Sequence, residues 1–460
     1  MEETIGMAHL TQILAEHALS IKLDALPPDL QEITQSCILD LLTAAVAGTG
    51  SEAPEVLLTV ADQLYGAGQA PAWFSGRCLS LQAALLHNGL SASALDLDDG
   101  HRAARGHPGA SVIPAVLTLA TVLPRVSGRE ILSAIIAGYD VGVRIAAAQR
   151  PRTIPTRQTG RWAAFAAVAA TGRLLSLAPD RLAEALAIAG VLAPNQRANG
   201  SSGYSRRTGN LVKEGIAFSA GIGLQALFLS ASGFTGPVDL LDHDEFYDQM
   251  RLVDRLGDQF EISRTYFKPY ACCRYIHPAL DALKTLSAVS PFHADQIDRI
   301  EVKSFAAALR LANHEAPDTL VALQYSLPYC LAVLILDGEE ALAPISPALL
   351  HRPDLSALAR RVVLGSDQEA ESRFPQETLA RVTVILKSGQ RWTTPLTTPR
   401  GDPSRPMDRA ALELKFRSVT RGRLSPQRQD EIIHAVNRLL DDDAGSLLAA
   451  LSPALFPTGG

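Results

Sequence analysis

Apolar residues recur at three- and four-residue spacing through most of the first 230 positions. His9 to Leu23 and Leu30 to Ala47 carry this pattern, with Pro27-Pro28 between them and Gly48 past the second end. The spacing predicts two amphipathic helices of one bundle. Glu55 to Tyr65 and Leu79 to Ala94 continue it across a loop from Gly66 to Arg77. Ser111 to Leu123 is apolar nearly all round and predicts a helix buried on every side. Ser127-Gly128-Arg129-Glu130 forms a capping box for a helix that runs to about Gln149. Two Ala-rich helices follow, Trp162 to Leu175 and Pro179 to Leu192, and Leu211 to Ser232 is the last long one.

The pattern changes after Gly233-Phe234-Thr235-Gly236-Pro237. Short β-type runs appear at Ile297 to Phe305 and at Ala380 to Leu386, the latter joined through Ser388-Gly389 to Arg391 to Leu396 as a hairpin. They alternate with helices at Pro278 to Leu286 and Thr319 to Leu336, which predicts a smaller α/β layer between about Phe260 and Arg400. Asp408 to Phe416 and Pro426 to Leu440 are helical again, so the C-terminus is expected to return to the first bundle. The fold class is mainly α with an α/β part.

Composition narrows the possibilities. The 460 residues are 47% hydrophobic and 20% charged, enough to bury large cores. A formal charge of -6 gives no electrostatic footprint for nucleic acid or an anionic membrane. No run offers about 20 uninterrupted apolar residues for a spanning helix. The acidic opening Met1-Glu2-Glu3-Thr4 has no basic and apolar leader, so no signal peptide is expected. Five scattered cysteines, Cys37, Cys78, Cys272, Cys273 and Cys330, lack zinc-ligand spacing and point to a reducing cytoplasm.

Candidate chemistry concentrates in three places. Between Ser93 and Gly109 stand Asp96, Asp98, Asp99, His101, Arg102, Arg105 and His107, beside core-forming helices, where a buried, charge-shifted site is most easily built. A polar, Gly-rich loop from Asn199 to Gly209 holds Arg206 and Arg207 and leads to Lys213, read here as a cation in the first turn of a helix, against the dipole. Lys268, Arg274 and His277 fall within ten positions of a turn-rich segment, a cation set suited to a carboxylate. Asp and His also ligate divalent metals, but no second cluster of similar density completes a shell, and no metal is expected. Asp96-Leu97-Asp98-Asp99 has the DxDD pattern of class II terpene cyclases, yet a carbocation pocket needs aromatic faces and this chain is 5% aromatic. Vicinal Cys272 and Cys273 have no base beside them in sequence and read as packing residues.

Leu95 to His101 followed by His107-Pro108-Gly109, Lys213 after a Gly/Ser loop, Ser232 to Pro237, Lys268-Pro269-Tyr270 with His277, and Gln324 to Tyr329 together resemble the MmgE/PrpD family in order and spacing. The resemblance spans nearly the whole chain. It implies a large helical domain built from both chain ends, 1–260 with 405–460, an inserted α/β lid domain, 261–404, and a homodimer. It also implies a small polycarboxylate substrate and no cofactor, the family's activities being 2-methylcitrate dehydration, cis-aconitate decarboxylation and iminodisuccinate epimerisation. By carry-over, Asp96, His107, Lys213 and His277 match positions lining the family's cleft, and Tyr139 resembles a tyrosine proposed there for acid/base work. Lys213, its pKa lowered by Arg206 or Arg207 and by partial burial, is expected to exchange the substrate proton. His107 or Tyr139 would oppose it, Asp96 would orient an imidazole, and His101, Arg206, Arg207, Lys268, Arg274 and His277 would hold carboxylates. Gly100 stands where several relatives carry Thr, and Cys273 where the decarboxylase has a His. Dehydration is the first expectation, with epimerisation or decarboxylation as alternatives and a catalytically silent carboxylate-binding homologue as the non-enzyme reading.

Overall fold

The computed structural model describes residues 8–156, 158–195 and 209–455. Its helices follow the apolar periodicity closely: α1 (Leu10–Ser20), α2 (Pro28–Gly48), α3 (Glu52–Tyr65), α4 (Leu81–Ser93), α5 (Gly109–Ala120), α6 (Gly128–Ala148), α7 (Thr159–Leu174), α8 (Pro179–Leu192) and α9 (Ile216–Ala231). The capping box forms, Ser127 Oγ accepting from Glu130 N and Glu130 accepting from Ser127 N at 2.8 Å. The small residues of α7 do what their size permits. A Cβ on Gly138 would lie 2.7 Å from Ala170 Cβ, and one on Gly142 would lie 2.4 Å from Ala166 Cβ, so α6 and α7 approach through a seam that tolerates no larger side chain. Helix α6 is long and apolar enough to cross a membrane, but it is packed inside this bundle. Its two charged inner residues are paired: Asp140 meets His17 at 2.8 Å and Arg144 at 2.9 Å, and Arg144 also donates to the carbonyls of Asp254 and Gln259.

Two large hydrophobic clusters divide the core. One runs from Leu14 to Phe267 and takes in Leu412, Phe416, Ile432, Val436 and Leu447 from the C-terminal helices Arg409–Val419, Pro426–Asn437 and Gly445–Leu451. The other is built mainly from Tyr270 to Leu386. It packs around a four-stranded sheet ordered Val362–Ser366, Ile297–Ser304, Ala380–Leu386, Arg391–Thr393, in which only the first pair is parallel. The hairpin turns at Gly389, whose φ of 87° suits glycine. The architecture is mainly α with an α/β part.

Several elements differ from the sequence reading, among them a short strand pair, Ala70–Ala72 with Arg77–Leu79, in and just past the expected loop. The run Thr319 to Leu336 is two helices, Leu320–Gln324 and Leu327–Leu336, because Ser326 caps the second and Pro328 cannot donate into a continuous one. The strand Val362–Ser366 was not read as one, since five residues ending in Gly-Ser carry too little alternation. Helix α9 starts at Ile216, so Lys213 lies in the turn before it, not in its first turn.

A buried ion pair ties the C-terminal helices to the stretch between α4 and α5. Lys415 Nζ lies 2.6 Å from Asp40 Oδ1 on α2 and donates to the Leu97 carbonyl at 3.0 Å. Removing one member leaves an unpaired buried charge. Lys415→Met is expected to lower the unfolding free energy by about 3–5 kcal/mol, and pairing it with Asp40→Leu to recover most of the loss, both read by urea denaturation. Equal stability of Lys415→Met and the parent would show that the pair contributes nothing.

Candidate active site

The site forms where the two clusters meet, and the alternation of one short stretch puts it there. Leu95 and Leu97 are buried in the second cluster. The intervening positions Asp96 and Asp98 face a cavity of about 540 Å³. This geometry needs an irregular backbone: Asp96 has φ 54° and Lys213 φ 48°, both in the left-handed region that non-glycine residues rarely occupy. Such strain persists only where the surroundings fix it, and here it sits at two charged residues that face each other.

Asp96 is the hub. Its Oδ1 lies 3.3 Å from Lys268 Nζ, 3.6 Å from His107 Nε2 and 3.8 Å from Lys213 Nζ. Lys268 Nζ also donates to the Asp96 carbonyl at 3.1 Å, and Lys213 Nζ to the Ser93 carbonyl at 2.7 Å. His107 Nδ1 faces Asp98 Oδ2 at 3.0 Å and Lys268 Nζ at 3.3 Å. Burial raises the Asp96 carboxyl, but the charges of Lys268, Lys213 and His107 outweigh it and hold the group well below the usual range. Asp98 is likewise held low, burial being outweighed chiefly by His107. Burial and Lys268 push His107 down, yet Asp98 and Asp96 carry it above its ordinary value. Lys268 rises despite burial because Asp96 and Asp98 both face it. Lys213 alone among the three cations is lowered, by burial first, with Lys268 adding to it. Two carboxylates thus face three basic groups.

The same cluster opens on a second cavity of about 540 Å³ lined by His101, Arg102, Arg105, Tyr266, Arg274 and Arg310. Asp96, His107, Glu214 and Tyr325 line both cavities. Arg274 lies over the Tyr266 ring at 4.7 Å and donates to the Arg400 carbonyl at 2.9 Å. Burial lowers it to about 10. His101 Nε2 meets the Glu261 carbonyl at 3.1 Å, and burial brings the imidazole down to about 3, so it stays neutral. Gly100 has its own reason: a Cβ there would lie 2.3 Å from the Tyr266 hydroxyl, so the tyrosine occupies the space a Thr side chain would need.

Of the residues singled out in the sequence, Asp96, His107, Lys213 and Lys268 come together, with His101 and Arg274 beside them. Tyr139 lines neither cavity. It is fully buried in the helical core, where its hydroxyl donates to Asp99 Oδ2 at 2.5 Å, and burial with the Asp99 charge holds its phenol well above the ordinary value. His277 lines neither cavity as well; it packs on Tyr270 at 5.1 Å, and its Nε2 meets the Cys272 carbonyl at 3.0 Å. Burial, then Arg274, holds it well below its usual value. Both spacings mark a helix face but not which side of the seam that face meets. Arg206 and Arg207 lie outside the described residues, and burial supplies the lowering of Lys213. Asp98, rather than Asp96, approaches His107 most closely.

Three carboxylate or imidazole groups, Asp96, Asp98 and His107, offer atoms close enough together to hold a cation. Lys268 and Lys213 already bring positive charge to that point, which disfavours a metal there. Glu214 was missed by the sequence. Its Oε2 accepts from Thr159 N at 3.0 Å and Thr159 Oγ1 at 2.7 Å, while Thr159 Oγ1 accepts from His107 N at 3.1 Å. One carboxylate at the start of α7 therefore links the Lys213 turn to the His107 loop, a place where the helix dipole also favours an anion. Its only sequence signal is adjacency to Lys213.

A buried cluster of paired charges, set between a helical bundle and an α/β layer and open on two cavities, is the most polar point of the described core. The chain belongs to the MmgE/PrpD family: residues 12–255 match the MmgE/PrpD N-terminal domain and residues 270–440 the MmgE/PrpD C-terminal domain. It is 25% identical over 467 residues to a cis-aconitate decarboxylase of Aspergillus terreus, covering 94% of each chain. It is 25% identical over 468 residues to the cis-aconitate decarboxylase of Mus musculus, covering 96% of this chain and 93% of that one. With the cis-aconitate decarboxylase of Homo sapiens it shares 24% over 472 residues, 96% and 94% of the two chains.

Two outcomes are expected. Glu214→Ala should cost about 1.5–3 kcal/mol, the value of hydrogen bonds to a charged group, and speed hydrogen exchange at the Thr159 amide; unchanged exchange there would remove Glu214 as the link. Asp99 is pushed up to about 7 from 3.8, by burial first, although Tyr139 and Gly109 donate to it. A raised carboxyl contributes stability that is present below 3.8 and lost as pH climbs through about 7. The stability of Asp99→Asn relative to the parent should therefore rise across that interval in denaturation at fixed ionic strength, and parallel curves would exclude the shift.

Proposed function

We propose that this protein is a lyase that acts on a small di- or tricarboxylate by moving a proton at the carbon next to a carboxylate. The observation that carries this is the convergence on Asp96 of three basic groups with unlike proton affinities. Lys213, lowered by burial, is the one suited to take a proton from carbon. Lys268, raised by Asp96 and Asp98, stays an ammonium; it is fully buried and lines neither cavity, so it acts through Asp96 and His107, holding their charges, rather than by touching substrate. His107, raised by Asp98 and Asp96, carries the proton that a departing hydroxide needs to leave as water. Asp96 and Asp98 keep these charges in place. Arg274 and His101 flank the substrate carboxylates, and Tyr139 and His277 position the loops behind them rather than touching substrate. The domain division 1–260 with 405–460 and 261–404 is part of this reading, supported by the two hydrophobic clusters that meet at the site.

Dehydration is the first form of the reaction. The names of the relatives favour decarboxylation as the second: carbon dioxide then leaves with the bond cleaved, the pair remains on carbon, and a proton from Lys213 or His107 quenches it. Both pass through a carbanion, formed by loss of a proton in dehydration and by loss of carbon dioxide in decarboxylation.

Incubation of the protein in deuterium oxide with a panel of hydroxylated and unsaturated di- and tricarboxylates, followed by NMR, tests the reading. Deuterium is expected to enter one or more of them. Lys213→Ala and His107→Ala, folded by circular dichroism, should lose at least about a hundredfold of that exchange, the usual contribution of a general acid or base. A parent protein that binds the panel but exchanges no proton is a carboxylate-binding homologue without catalysis.

A further inference from the structure

The charge cluster has unlike surroundings on its two sides. One cavity continues past Arg105 and Arg310, and past Arg102 and Arg274, two guanidinium groups that share the single carboxylate of Asp402 and so leave net positive charge. The other continues past Leu90, Ile216, Phe218, Leu320, Val321 and Leu350. Since Asp96 and His107 wall both, a molecule whose reacting carbon lies beside Lys213 has guanidinium groups on one hand and aliphatic and aromatic surface on the other. The apolar side has its own charges, Glu52, Asp318 and Arg423. Two of these repel carboxylates, and Arg423 is engaged with the Val46 and Thr49 carbonyls at 3.1 and 2.5 Å. Among the described residues the only other basic groups on that side are Lys213 and His107, at the shared cluster. Phe218 is nonetheless 45% exposed and Val212 61% exposed at its wall, apolar surface left open next to the most polar point of the protein.

Resting on the lyase reading above, we infer that the substrate is a polycarboxylate bearing an apolar chain of several carbons, with its carboxylates toward Arg102, Arg105, Arg274 and Arg310 and its chain along Leu90, Ile216, Phe218 and Leu320. A short acid fills only the cationic side and leaves the apolar wall wet. A chain replaces that water, and each buried methylene strengthens binding about fourfold. The two cavities, about 540 Å³ each, are within the range of small-molecule sites, and together they exceed what a six-carbon acid needs.

The test uses binding, so it does not depend on turnover. Succinate and its 2-methyl, 2-ethyl, 2-butyl and 2-hexyl derivatives are titrated calorimetrically into the full chain. Kd is expected to fall about fourfold per added methylene up to the butyl member. Phe218→Asp and Leu320→Asp, two independent variants, should each flatten that dependence. A Kd that stays constant or rises with chain length overturns the inference. So does a chain-length dependence that survives both variants, and so does a change of sedimentation state in the variants without a change in the series, which assigns the apolar wall to a second copy of the chain. Failure of the lyase reading shows separately, as absence of deuterium exchange.

Discussion

Everything around the site is arranged to keep the Asp96 carboxylate buried and still charged. Taking an ion out of water costs several kcal/mol unless partners replace the solvent, and here the partners come from three distant stretches: His107 from the loop after α4, Lys213 from the turn before α9, and Lys268 from the entry to the α/β layer. Helix α2 and the C-terminal helix Arg409–Val419 hold the other end of the same stretch through Asp40, Lys415 and the Leu97 carbonyl. The layers cannot shift far without unpairing a charge. Positive φ at Asp96 and at Lys213 is what these contacts impose on the chain.

Much of this was legible in the sequence because the two signals involved are local. Apolar spacing reports which helix face is buried, and α1 to α9 follow it within a few residues of the expected ends, apart from the later start of α9. Dense titratable groups between two core helices report a shifted site, and Asp96 with His107 are at its centre. Legibility ends where three-dimensional neighbours decide. Tyr139 lies on a helix that contributes to the bundle, and only packing shows that its hydroxyl turns to Asp99 in the interior. His277 begins the helix His277–Val289, and its ring turns back to the Cys272 carbonyl. Glu214 looks like an ordinary surface acid until Thr159 is seen against it.

The same distinction explains the element boundaries. Ser326 and Pro328 are plain breakers in sequence, yet apolar residues on both sides read as one helix. The break has a consequence at the site, since Tyr325 stands at it and lines both cavities, while Gln324 donates to the Ala94 carbonyl at 2.9 Å. Gly100 is a comparable case. Missing a side chain, it looks like a lost contact, but the Tyr266 ring fills the space, and the guanidinium of Arg274 rests on that ring. A phenol and a stacked guanidinium thus occupy one wall of the cationic cavity.

Lys213 and Lys268 show how one carboxylate sets two different roles. Both ammonium groups reach the same Asp96 oxygen, at 3.8 and 3.3 Å, and both are desolvated. Lys268 is the nearer, has the Asp96 carbonyl as well, and is raised by Asp98 in addition. Its positive charge is therefore permanent. That charge then acts on Lys213, which burial has already lowered, and opposes a second ammonium close by. Two lysines that compete for one anion cannot hold their protons equally; the better-placed one becomes a fixed charge and makes the other the easier to deprotonate. On the proposed lyase reading, carbanion chemistry next to a carboxylate would draw on both, a charge that never leaves and a base that gives up its proton, and a single buried aspartate between two lysines sets the two apart.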